Sequence, residues 1–143
     1  MEYAGFFYAI GAAITWGLIY TIDQKILTTM SPMTLLFFNS IITAILLLPF
    51  VFFDNGSIKD VLHSGKTNLL LLFLAIALAA LANLFIFVAI KALDAPTASI
   101  IEIAYPFFVV LFSYIFFHSS PNVYFFIGGT LIFIGSIIVI KFA

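Results

Sequence analysis

Glu102 stands inside an apolar stretch, and Pro106 follows it four residues later in the same stretch. At ~1.5 Å per residue, Glu102 would lie roughly 10 Å along a helix beginning near Ala95, too deep for its short side chain to reach an interface. A charge at such a depth costs at least ~2.5 kcal/mol on insertion scales, which makes function the default reading. The chemistry on offer is reversible protonation, or capture of a cationic group that competes with the proton. The plainer reading is a salt bridge to Lys25 or Lys91, which lie on the same side. Pro106 removes the backbone hydrogen bond to the Glu102 carbonyl and favours a kink. It serves either as a hinge or cavity wall, or as simple curvature.

Four further side chains are candidates for substrate contact. Trp16 falls well inside the first apolar stretch, where a buried indole N–H needs a partner, so it either stacks on a substrate or packs. Asn39 and Asn83 are mid-stretch amides that point inward and bond across helices, as substrate contacts or as interhelical glue. Tyr105 offers a hydroxyl to the same interior, as do Tyr20 and Tyr114. Ser99, Glu102, Pro106 and Ser113 recur at helical spacing and predict one polar stripe.

These residues are carried by five apolar runs, at about 3–22, 33–53, 69–90, 98–117 and 123–140. Each approaches the ~20 residues that carry a helix across ~30 Å of hydrocarbon. The 143 residues are 65% hydrophobic and only 8% charged, with a mean hydropathy of +1.31, so they cannot present a soluble surface. The expected fold is an all-α membrane protein: one domain, 1–143, a bundle of five transmembrane helices. Glu2 in place of a basic leader marks the first run as a retained span.

Short polar segments separate the runs. Pro32 suits the opening turn of the second helix, and Asp54-Asn55-Gly56 is a turn signal. Residues 57–65 predict a short surface helix capped by Ser57 and Asp60 and stopped by Gly65. Lys91 to Pro96 and His118 to Asn122 are tight connections that make the last three spans antiparallel neighbours.

An odd number of spans leaves the termini on opposite sides of the membrane. A second five-helix unit would then have to be inverted, as in many secondary transporters. Lys59 and Lys66 fall on one side, Lys25, Lys91 and Lys141 on the other, so the positive-inside rule gives no clear orientation. This balance is compatible with dual insertion and an antiparallel homodimer. A separate partner half is the alternative. Gly5, Ala9, Ala13 and Gly17, like Ala75 and Ala79, form small-residue stripes expected to mark helix contacts. Gly128 and Gly135 share a face of the fifth run and are assigned to a subunit interface.

Several motifs occur in a recognisable order: Ala13-Ile14-Thr15-Trp16-Gly17 with Lys25, then Ser31-Pro32, then Ala98-Ser99 with Tyr105-Pro106, and finally Gly128-Gly129-Thr130-Leu131-Ile132 with Gly135. Taken together, nearly the whole chain resembles the EamA-type domain of the drug/metabolite transporter superfamily. The resemblance implies one half of an inverted-repeat transporter for small metabolites or drugs, in the cell membrane. Two positions depart from it: Phe38-Asn39 stands where relatives often carry an Arg, and His118-Ser119-Ser120 where they carry Gly-Glu. Substrate details tied to those positions do not transfer.

Other functions find little support in these residues. A net charge of −1 and the lack of any Arg leave no basic patch for nucleic acid. The chain has no Cys, and His63 and His118 are far apart, so no catalytic group, metal site or cofactor is expected. The expected partners are the lipid bilayer, a small-molecule substrate and a second five-helix unit. The functional expectation is a transporter protomer working as a dimer by alternating access, with proton coupling through Glu102. A non-transporting scaffold or accessory subunit is the alternative.

Overall fold

In hydrocarbon every backbone polar group must be satisfied within the chain, and long apolar runs do so as helices. The computed structural model describes residues 2–54, 57–119 and 122–142. Among them are seven helices: α1 (Glu2–Leu27), α2 (Pro32–Phe53), α3 (Ser57–His63), α4 (Gly65–Ala92), α5 (Ala95–Glu102), α6 (Tyr105–Phe117) and α7 (Val123–Phe142). Taking α5 and α6 as one span, 5 segments are long and apolar enough to cross a membrane. The protein is an all-α membrane bundle. Asn55-Gly56, the Ser57 side chain and Ser120-Pro121, on which a turn, a cap and part of a connection were expected, lie outside the described residues.

Local chemistry sets the visible helix ends. The Ser31 hydroxyl accepts from the Thr34 amide at 3.1 Å, with Pro32 opening α2. Between α3 and α4 the chain turns at Gly65, whose φ of +83° is the left-handed conformation that glycine adopts without strain. Asp94 caps α5 through a 2.7 Å bond from the Thr97 amide. That bond holds the Asp94 carboxyl below the usual carboxylate range, the side-chain contact from Thr97 adding to it.

Two helices differ from the sequence expectation. The first span does not end at residue 22 but continues to Leu27, so Asp23 is a helical residue instead of the start of a loop. The fourth is broken: Ile103 and Ala104 form a turn, and Tyr105 and Pro106 open a new helix. Pro106 has no N–H to continue the ladder and a ring that crowds the preceding turn, so the break falls just before it. The stripe of Ser99, Glu102, Pro106 and Ser113 is thereby divided between two helices.

Packing is concentrated at the end of the bundle where segments 28–31 and 93–94 connect the helices. α4 lies against α1, α2 and α5; α7 packs on α5; α6 makes only sparse contact with its neighbours. The core comprises Tyr20, Leu27, Leu35, Ile86, Phe87, Ile90, Ala95 and Ala98. All come from the halves of α1, α2, α4 and α5 nearest that end. Two hydrogen bonds fasten it further, from Lys91 Nζ to the Met30 carbonyl at 2.8 Å and from the Ala95 amide to Gln24 Oε1 at 2.7 Å.

The opposite half is splayed. A Cβ built at Gly5, Gly11 or Gly17 of α1 would meet nothing within 4 Å, and Ala9, Ala13, Ala75 and Ala79 are exposed. The small-residue stripes therefore do not mark the close helix contacts that the sequence led us to expect. At that end the helices diverge beyond the reach of backbone packing.

Candidate functional site

Tyr20 and Glu102 join the packed half to the open half. Antiparallel α1 and α5 are registered by the Gln24–Ala95 hydrogen bond. About two helical turns further along α5, Glu102 comes level with Tyr20. The Tyr20 hydroxyl donates to Glu102 Oε2 at 2.6 Å, the short range of an O–H bond to a carboxylate. Ala95 and Ala98, both buried, let the two helices approach closely here.

The lysine salt bridge considered for Glu102 is not formed. Lys91 is engaged with the Met30 carbonyl, and Tyr20 is the side chain bonded to Glu102. Its selection follows from register: Tyr20 faces α5, while Lys25, five residues on along α1, is exposed. Tyr20 was one of several tyrosines legible as a hydroxyl source, and only the helix pairing singled it out.

Trp16 lies one turn from Tyr20 on α1, their rings 5.5 Å apart and inclined at 53°. The indole is 47% exposed, on the same helical face as Tyr20, where the bundle begins to open. It is thus not the buried indole expected from its depth in the span. Tyr105, at the start of α6, is 61% exposed and close enough to Tyr20 to act on it electrostatically. Pro106 follows it at the break. Trp16, Tyr20, Glu102 and Tyr105 therefore form one neighbourhood.

The two asparagines do not join it by hydrogen bonds. Asn83 Nδ2 donates to the Ala79 carbonyl at 2.9 Å, and Asn39 Oδ1 accepts from Thr43 Oγ1 at 3.2 Å. Both bonds stay within one helix, correcting the expectation of bonds across helices. Where helices diverge, the nearest partner for a mid-span amide is its own preceding or following turn.

Asp23 is the residue that the sequence did not single out. It is 7% exposed, and its Oδ2 is buried with no hydrogen-bond partner. Because apolarity ceases at Ile22, Asp23 reads as a loop residue in sequence; the continuation of α1 carries it into the core beside Tyr20. An Asp three residues after a Tyr at helical spacing was the available signal.

Two cavities lie between α6 and α7. The larger, about 310 Å³, is lined by Ile103, Pro106, Phe107, Phe126, Gly129 and Phe133 among others. Neither cavity is lined by Trp16, Asn83, Glu102 or Tyr105, and their walls are almost wholly apolar. A Cβ at Gly128 or Gly135 of α7 would also meet nothing within 4 Å. Among the described residues no group of three or more His, Cys, Asp or Glu is placed to hold a metal ion.

A part-buried tyrosine–carboxylate pair where the helices of a five-span bundle begin to separate fits a membrane transporter, and residues 3–141 match the EamA-like transporter family. The chain belongs to that family. It is a multi-pass membrane protein of the drug/metabolite transporter superfamily, whose members are transporters of small molecules and not enzymes. Neither the curated proteins nor the solved structures contain a match to the chain.

Proposed function

We propose that this EamA-like protein is a protomer of a small-metabolite or drug transporter in the cell membrane, one domain over residues 1–143. It pairs with a second, inverted five-helix unit and works by alternating access, with Glu102 as the coupling group. The observation that carries this reading is the Tyr20–Glu102 hydrogen bond, at the base of the opening between the splayed helix halves. A carboxylate held by a phenol is stable enough to fold around and still able to exchange that partner for a proton or a substrate cation. Trp16 and Tyr105 supply aromatic walls on the open side, and Asn39 and Asn83 supply amides further into it. The break before Pro106 is the hinge, because α6 can swing about residues 103–104 without unwinding a continuous helix.

The test is flux in proteoliposomes against a metabolite panel, with and without a pH gradient. Wild-type protein is expected to concentrate at least one compound in response to the gradient. Glu102→Gln, which preserves shape and removes the charge, should lose that response while remaining folded and inserted. Retention of gradient-driven flux in the variant would show that Glu102 is a structural partner of Tyr20 only.

A further inference from the structure

We propose that Asp23 and Glu102 together bind an organic ammonium group, so that the transported compounds are amines with an aromatic or apolar body. This inference rests on the transporter reading and narrows its substrate class. Asp23 is 7% exposed, and its Oδ2 is buried without a hydrogen-bond partner. A carboxylate so placed, within a membrane-spanning helix, carries a desolvation penalty that a proton, a cation or a further hydrogen-bond donor offsets, and a cation bearing N–H groups supplies both charge and donors.

The charged groups around it supply no such cation. Lys25 is two residues further along α1, on the far side of the helix and exposed, and Lys91 donates to the Met30 carbonyl. Glu102 is already bonded to Tyr20, and Tyr20 is within electrostatic range of both carboxylates. Two acidic side chains thus lie near one phenol, with no protein cation between them among the described residues. A bare metal ion would need further ligands, and the described residues offer no three-ligand group.

The remaining walls favour an organic cation. Trp16, Tyr20 and Asp23 follow one another along one face of α1 at spacings of four and three. They grade from the 47% exposure of Trp16 to 7% at Asp23. An ammonium head reaching the carboxylates would leave its apolar body against the Trp16 and Tyr20 rings, which lie 5.5 Å apart and attract cations through their faces.

The chain contains 1 Trp and 6 Tyr, so tryptophan emission, excited at wavelengths where tyrosine scarcely absorbs, reports on this site. Phenethylammonium and its neutral isostere phenethyl alcohol are titrated against the full chain in lipid nanodiscs. Wild-type protein is expected to bind the ammonium at least about tenfold more tightly than the alcohol, the equivalent of ~1.4 kcal/mol. Asp23→Asn should lose most of that ratio. Equal wild-type affinities for the two probes, or an undiminished ratio in Asp23→Asn, would overturn the inference. The wild-type comparison decides the matter even where the variant fails to fold. Binding is read without flux, so the two readings fail separately: ammonium-selective binding without transport of any compound overturns the transporter reading, whereas transport without ammonium preference overturns this one.

Discussion

The two ends of this bundle belong to the same membrane-spanning helices, yet they behave as different materials. At the end joined by segments 28–31 and 93–94, Phe87 and Leu27 are fully buried and side-chain hydrogen bonds link the elements. At the other end α6 has no buried residue, and the glycines of α1 face open space. The chain exposes 11600 Å², whereas a compact soluble protein of 15.8 kDa would expose about 7,300 Å² by the usual scaling. The surplus is surface for lipid, substrate or a second unit. Packing is concentrated at one end, and the other holds the least-packed elements, the kind of region from which moving parts are generally drawn.

The sharpest way to break this contrast is to truncate one aromatic residue at each end. Phe87→Ala empties a site that is 1% exposed and should lower unfolding stability by ~3–5 kcal/mol. Phe112→Ala, on the exposed surface of α6, should change it by no more than ~0.5 kcal/mol. Equilibrium unfolding in mixed micelles measures both, and equal losses would show that the open half is packed in the membrane after all.

Tyr20→Phe probes the junction between the two ends. Removing the donor of the 2.6 Å bond to Glu102 should reduce stability by ~1 kcal/mol, within the range measured for hydrogen bonds between membrane helices. No loss in the same unfolding assay would mean that Glu102 finds water or another partner at no cost, and that the opening reaches deeper than α5.

Gly135→Leu should have the smallest effect on the chain itself, within ~0.5 kcal/mol, since the added side chain enters open space. Its effect should appear in assembly. Single-molecule photobleaching in bilayers is expected to show fewer paired copies, and an unchanged pair fraction would remove the face of Gly128 and Gly135 from the interface.

The sequence by itself determined the membrane class, the five spans and the α3 segment, because length and apolarity decide these regardless of neighbours. It also marked Pro106 as a point of bending, since proline acts on its own backbone, but a kink in one span was expected there and the structure has a break into two helices. The sequence marked Glu102 as exceptional for the same reason: a charge in an apolar run is visible without a structure. The partner of Glu102, the burial of Asp23 and the idle small-residue stripes were decided only by tertiary structure. These helices are apolar on nearly every face, so no hydrophobic stripe announces which side turns inward. Facing is set by helix register instead: the Gln24–Ala95 contact aligns α1 with α5, which brings Tyr20 to Glu102 and leaves Asp23 buried among core residues without a partner for its Oδ2.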